Sequence, residues 1–298
     1  YTNSCYVRFP KDQLVCVGGL SMDDGPITIR AVFPTGRSMD ALGIKPRLMV
    51  GRALDGVQLG ESVFLDTSDA ILWNPPKIKN CAELFVIERR INSLVGRLET
   101  LAPNAGLAPL VRYPSLITKG ETLLSEGQLV RIASCGVTQL VRGIRSGNGL
   151  AIHAGIGSLV GLGPGLTPSG DDLLAGMMIG MWVMAENSLH LRKILPFVER
   201  TIHHFAKSQT TAVSAALLGH AAAGVGSSSV HRFVQTLIEV DDSLDSLEIA
   251  KRISNFGHTS GWDCLAGLLI GIQFGFQAEG TLATISNNSR VGGNIYAD

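Results

Sequence analysis

The sequence has few charged residues and no segment in which charges of one sign accumulate. Asp, Glu, Lys and Arg make up 17% of its 298 residues, and 25 basic side chains balance 25 acidic ones. Proteins bind nucleic acids and anionic lipid surfaces through clustered positive charge. We therefore expect no nucleic acid and no membrane among the partners, and a small molecule as the ligand.

Cysteines are also few, and they lie far apart. There are five of them, an odd number, with no CxxC pair, which argues against a zinc site and against a disulfide framework. No N-terminal segment resembles a signal peptide, and the uncharged helical runs, of about 13 residues, are shorter than the roughly 20 that span a bilayer. These features predict a cytoplasmic protein.

The residues that are present divide the chain near Pro76. Short β-type runs separated by turn residues fill 1–76, with a hairpin signal at Asp55-Gly56. From residue 84 to 98 apolar residues recur at three- and four-residue spacing, the pattern of an amphipathic helix, and the rest is mainly helical in pattern. The predicted fold is α+β: a small antiparallel β-sheet or barrel domain over 1–76, then a mainly helical domain over 77–298.

The second part contains an internal repeat. SGDDLLAGMMIG at 169–180 and SGWDCLAGLLIG at 260–271 share eight of twelve residues without a gap, at an offset of 91. Each copy begins Ser-x-x-Asp before an apolar run, which predicts a capping box at the start of a helix. Because both helices lack charge and carry glycines four residues apart, we expect them to be buried and to touch.

The two repeat starts form the candidate site. GLGPGLTP at 161–168 contains more glycine than a helix cap needs, and helix N-termini offer free N–H groups to phosphate or carboxylate. A pseudo-two-fold axis would bring Asp172 and Asp263 together. The predicted ligand-binding residues are Gly163, Gly165, Thr167, Ser169, Gly170, Thr259, Ser260 and Gly261. The predicted catalytic residues are Asp171, Asp172, Asp263 and His258, whose imidazole suits acid–base work near neutral pH.

Aspartates beside an anion site repel one another and the ligand unless something neutralises them. A bound Mg²⁺, which prefers oxygen ligands, is one candidate, and the side chains of Arg142, Arg145 and Lys207 are others. N–H groups of a ureido or carbamoyl ligand are a third. Spacing does not choose among these, so the metal ligands, if any, are not assigned.

GLGPGLTPSGDDLLAG at 161–176, together with GHTSGWDCLAGLLIG at 257–271, resembles the signature of a bacterial family that includes the AllH subunit of oxamate carbamoyltransferase. The resemblance implies a transferase subunit of purine catabolism. It implies phosphorolysis of oxalurate to oxamate and carbamoyl phosphate, ending anaerobic allantoin degradation, in a hetero-oligomer with other carbamoyltransferase subunits. It also favours a small anionic or carbamoyl-containing metabolite as the ligand of a phosphate-binding glycine-rich loop.

Two other functions remain open. A self-contained hydrolase or transferase would hold Mg²⁺ with Asp171, Asp172 and Asp263. A non-catalytic scaffold would only stabilise partner subunits.

Overall fold

The computed structural model describes residues 4–10, 13–34, 38–124, 126–240 and 245–291, with 277–291 described as backbone alone. The chain is α+β, as predicted: within these residues, two three-stranded sheets precede ten α-helices. Its contacts divide it into two compact units, 1–77 with 226–231, and 78–225 with 232–298.

The first unit contains both sheets. Its strands are β1 (Ser4–Arg8), β2 (Leu14–Gly19), β3 (Thr28–Ala31), β4 (Val50–Ala53), β5 (Gly56–Leu59) and β6 (Val63–Asp66). The second sheet, β4-β5-β6, is antiparallel throughout, but in the first sheet β2 pairs with β3 in parallel. The antiparallel prediction is wrong for that pair, because residues 20–27 carry the chain back to the end of the sheet where β2 begins. The described strands form two separate sheets, so of the two predicted arrangements, a sheet or a barrel, the barrel is not confirmed.

The hairpin predicted at Asp55-Gly56 joins β4 and β5. Ala53 pairs with Gly56, so the turn consists of Leu54 and Asp55. A Cβ on Gly56 would lie 2.6 Å from the ring of Phe64, which explains why this position has no side chain. Buried apolar side chains from both sheets, including those of Val7, Val17, Leu59 and Leu65, form one core together with Met39 from the segment between β3 and β4.

The helices account for most of the second unit. They are α1 (Leu84–Glu99), α2 (Pro114–Thr118), α3 (Gln128–Ser146), α4 (Gly149–Leu159), α5 (Ser169–Ala185), α6 (Leu189–Gln209), α7 (Ala212–Ala222), α8 (Ser228–Ile238), α9 (Ser246–Ser254) and α10 (Ser260–Val291). The first four residues of α8, however, belong to the first unit. The amphipathic helix predicted over 84–98 is α1, and its apolar stripe is buried. Among the described residues, no helix has the length and apolarity that crossing a membrane requires.

The two repeat helices, α5 and α10, lie in direct backbone contact. A Cβ on Gly176 would overlap the carbonyl oxygen of Cys264, and a Cβ on Gly267 would overlap that of Leu173. One turn further along both helices, a Cβ on Gly180 would lie 2.8 Å from the carbonyl oxygen of Leu268. Contacts therefore advance in the same direction along both helices, so the helices run parallel.

This contact is reciprocal. Gly176 meets residue 264, and Gly267 meets residue 173. Gly176 and Gly267 are equivalent positions of the two repeats, 91 residues apart, and so are residues 173 and 264. Such reciprocity is the property of a local two-fold axis between the helices. Because the helices are parallel, both N-termini lie at the same end of the pair. The packing thus decides where the candidate site residues meet.

Candidate functional site

The helix starts differ from the predicted capping boxes. Pro168 is the N-cap of α5 and no side chain caps that helix. The N–H groups of Asp171 and Asp172 instead donate to the Pro168 carbonyl, at 2.9 and 3.2 Å, and in α10 Asp263 N donates to Thr259 O at 2.9 Å. Each serine is therefore already inside its helix, where its hydroxyl cannot cap the first turn in the predicted way.

The serine hydroxyls interact with the carboxyl groups of the opposite repeat helix. Ser260 of α10 interacts with Asp172 of α5, and Ser169 of α5 interacts with Asp263 of α10. The hydroxyl of Thr167, just before α5, lies 2.9 Å from that of Ser260, and either can donate the hydrogen bond. The predicted convergence of the two repeat starts is therefore present, with the side-chain contacts made between the helices rather than within each one.

Asp263 is fully buried and is held by a third segment. Its Oδ1 accepts a hydrogen bond from Leu107 N at 2.6 Å, while its Oδ2 is buried with no hydrogen-bond partner. Burial raises the pKa of Asp263, although Ser169, the Leu107 N–H and Thr259 favour its charged form. Gly106, at φ +55°, makes the approach possible, because a Cβ there would lie 2.8 Å from Asp263 Oδ1.

Sequence reasoning missed the loop at 104–107 as part of this site. The only signal in the sequence was the turn-forming text PNAG between two helical patterns. Such a turn predicts a loop, and the position of that loop depends on how the helices on either side of it pack.

Asp172 lies half-buried beside the two hydroxyls. Burial holds its pKa well above the usual range of a carboxyl, and the neighbouring charges of Asp263 and Asp171 raise it further. The hydroxyls of Ser260 and Thr167 act in the opposite direction. Its Oδ2 is buried and has no hydrogen-bond partner. Asp172 is therefore a carboxyl group that favours the neutral form beside a second, buried carboxyl.

Asp171 does not face the other two aspartates. Its Oδ1 accepts a hydrogen bond from Gly161 N at 2.8 Å, and its Oδ2 accepts from Ser214 Oγ at 2.6 Å and from Thr210 Oγ1. The carboxylate thus ties the glycine loop to the start of α7. Thr210 and Ser214 lie 39 and 43 residues from Asp171 in sequence, and no local pattern pairs residues over such distances.

The glycines of the predicted ligand site have two different environments. Gly163 and Gly165 have φ of +104° and +105° and lie in the turn, whose residues Pro164, Gly165 and Leu166 are exposed. Gly170 and Gly261 are buried, and their N–H groups donate to Leu162 O and Phe256 O, at 2.8 and 3.0 Å. The latter two amides are thus engaged in packing each helix start against the segment before it.

The open side of the site is formed by the exposed turn and by half-buried hydroxyls. Thr167, Thr259 and Ser260 are half-buried, and His258 is exposed beside them. A ligand that approaches here would meet hydroxyl groups and the Asp172 carboxyl at the positive ends of two helices.

The three cations considered from the sequence do not contact these aspartates. Arg142 donates to Gly120 O at 2.6 Å, Arg145 donates to Thr118 O at 2.8 Å, and Lys207 is exposed on α6. Among the described residues, no three His, Cys, Asp or Glu side chains are placed to hold a metal ion. The magnesium trio of Asp171, Asp172 and Asp263 is therefore not assembled, because the Asp171 carboxylate is bound to other donors.

Residues 159–272 match the model of a protein family described as oxamate carbamoyltransferase subunit AllH. The match confirms the resemblance seen in the two glycine-aspartate motifs. It covers less than half of the chain but includes the glycine loop, both repeat helix starts and the residues that bind Asp171. No solved structure matches the chain.

Proposed function

We propose that this chain is a subunit of a carbamoyl-transferring enzyme of the oxamate carbamoyltransferase type, with its ligand site at the joined N-termini of α5 and α10. The observation that carries the proposal is the family match, since it spans both helix starts that the packing brings together. The proposed reaction is phosphorolysis of oxalurate to oxamate and carbamoyl phosphate, in allantoin degradation. A subunit requires partners, so we propose a hetero-oligomer.

The chemistry of the site suits a carbamoyl-bearing anion. The positive ends of two parallel helices favour the negative charge of the ligand. The hydroxyls of Thr167 and Ser260 accept from a carbamoyl NH₂ and donate to its oxygen. Asp172 in its neutral form places no negative charge against the anion. Catalysis here relies on positioning and on stabilisation of developing charge.

The test is to co-express the full chain with the products of the genes adjacent to its own and to purify the complex. We expect the complex to release carbamoyl phosphate from oxalurate and inorganic phosphate. A stable complex that releases none from these substrates would overturn the proposed function.

A non-catalytic scaffold makes a different prediction for the same complex. Asp172→Asn keeps the size of the side chain. If the chain is only a scaffold, the complex that contains this variant should be as active as the wild-type complex. We expect turnover to fall at least 100-fold while the complex still assembles. Asp245→Asn is the matched control, because Asp245 caps the separate helix α9 and is about half exposed, and it should leave turnover unchanged.

A further inference from the structure

We infer that, of the three aspartates, only Asp172 donates a proton at this site, and that Asp171 and Asp263 are positioning residues. The inference rests on the proposed function, and it divides between three neighbouring carboxyl groups a role that the sequence assigned to all of them. It follows from the hydrogen-bond donors that surround each one.

Asp171 and Asp263 each accept a hydrogen bond from the backbone. Gly161 N donates to Asp171 at 2.8 Å, and Leu107 N donates to Asp263 at 2.6 Å. A backbone N–H only donates, so it stabilises a charged carboxylate and has no lone pair for a carboxylic acid proton. Both aspartates are also buried, at 1% and 0% exposed, which leaves no surface for a substrate. Their geometry suits fixed groups that hold loops in place.

Asp172 has a different set of neighbours. The described residues offer its carboxyl no backbone N–H, and its polar neighbours are the hydroxyls of Ser260 and Thr167. A hydroxyl both accepts and donates, so these neighbours are compatible with either protonation state of the carboxyl. Asp172 is also the one aspartate of the three that is partly exposed. It therefore can reach a substrate and change its protonation state there.

The charged groups around Asp172 favour its neutral form. From α10, Asp263 faces it, and the thiol of Cys264 lies close enough for both aspartates to raise its pKa. From α5 itself, Asp171 adds a second negative charge. The described residues of α4, α6 and α7, which also contact α5, place no ionisable side chain in hydrogen-bond contact with Asp172. No cation among the described residues therefore offsets the repulsion.

The proton transfer balances for the proposed reaction. A phosphate oxygen attacks the carbamoyl carbon of the ureido substrate, and the bond from that carbon to the departing nitrogen breaks. The neutral Asp172 carboxyl gives its proton to this nitrogen, which leaves as a neutral primary amide. The hydrogen of the attacking hydrogen phosphate then returns to the Asp172 carboxylate, directly or through the Thr167 and Ser260 hydroxyls, which are 2.9 Å apart. Asp172 is therefore protonated again at the end of the reaction, as it was at the start.

Two substrates with different leaving groups can show whether Asp172 is a proton donor or only a structural residue. An amide nitrogen must be protonated to depart, whereas the p-nitrophenolate of p-nitrophenyl carbamate departs without a proton. In the assembled complex, we expect Asp172→Asn to lower kcat at least 100-fold with oxalurate and less than 5-fold with p-nitrophenyl carbamate. Equal losses with the two carbamoyl donors would overturn the inference even if the wild-type complex is fully active with oxalurate.

A second measurement tests the inference without turnover. We expect the infrared spectrum of the full chain at pH 7 to contain the C=O band of a protonated carboxyl, which Asp172→Asn removes and Asp245→Asn preserves. A spectrum without that band overturns the inference. A wild-type complex that shows the band but releases no carbamoyl phosphate would overturn the proposed function instead, so the two failures are distinguishable.

Discussion

The α-carbon of Gly176 in α5 lies against the carbonyl oxygen of Cys264 in α10, so the two helices meet backbone to backbone. The reciprocal contact, from Gly267 to the Leu173 carbonyl, repeats this arrangement from the other helix. These contacts set the separation of the helix starts and therefore of Asp172 from Asp263. Any side chain at either glycine must push the helices apart.

Gly176→Ala and Gly267→Ala should each lower the free energy of unfolding by roughly 3 kcal/mol, as overpacking in a closely packed core does. Urea unfolding of the full chain measures the change. Gly96→Ala in α1 is the matched control, because a Cβ there meets nothing within 4 Å, and alanine should stabilise the helix by about 0.5–1 kcal/mol. Similar results for all three variants would contradict the packing described for α5 and α10.

Asp171→Asn and Asp172→Asn should change stability in opposite directions. Asp171 accepts from two hydroxyls and one N–H, and an asparagine NH₂ turned toward these donors should destabilise the fold by roughly 1–3 kcal/mol.

Asp172 has a raised pKa, so the folded state binds more protons than the unfolded state above pH 4, and stability falls as the pH rises. Asparagine removes that penalty and should raise Tm by about 2–4 °C at pH 7. A lower Tm for Asp172→Asn would show that its carboxylate stabilises the fold.

Thr167→Val should move the alkaline limb of the activity profile to higher pH. The Thr167 hydroxyl lowers the pKa of Asp172, so its removal leaves Asp172 protonated to a higher pH. Valine keeps the shape of the side chain. The measurement is kcat of the complex against pH, with Thr100→Val, at the exposed end of α1, as the control that should leave the profile in place. A shift toward lower pH would contradict the assignment of Asp172 as the acid.

His231 should make the fold less stable in acid. Burial lowers its pKa to about 4 from 6.5, and its Nε2 accepts a hydrogen bond from Gly226 N at 3.0 Å, which protonation would remove. Between pH 6.5 and 4 the unfolded state binds the proton first, so stability is lost as pH falls through this window, by about 3 kcal/mol below pH 4.

His231→Gln keeps an acceptor for Gly226 N and removes the titration. Urea unfolding between pH 4 and 7 should therefore show a flatter dependence on pH for this variant than for the wild type. His258→Gln, which changes an exposed histidine, should keep the wild-type slope. If both variants retain that slope, His231 is not its source.

Local sequence patterns were sufficient to predict α1 and the β4–β5 hairpin. The spacing of apolar residues over 84–98 predicted α1 because one face of an isolated helix must be buried wherever that helix packs. Asp55-Gly56 predicted the β4–β5 hairpin because turn geometry depends on neighbouring residues alone. The parallel pairing of β2 with β3 was not predictable in this way, since strand direction depends on the path of the connecting segment.

The capping boxes show where local reasoning about the site failed. The Ser-x-x-Asp pattern predicts a serine that caps the helix from outside, but each helix already begins at its serine, and the serine interacts with the opposite helix. Likewise, the sequence grouped Asp171 with Asp172 because they are adjacent. Successive side chains on a helix point about 100° apart, so the two reach different partners.

The sequence by itself determined that two related helix starts exist, that their helices are apolar enough to be buried, and that each has an aspartate in its first turn. Only the tertiary structure decided that Asp263 is held by Leu107 N, that Asp171 is held by Ser214, and that Asp172 is left among hydroxyls. The reason is physical: the number of carboxyl groups is fixed by the chain, but their protonation depends on donors and burial supplied by segments far away in sequence.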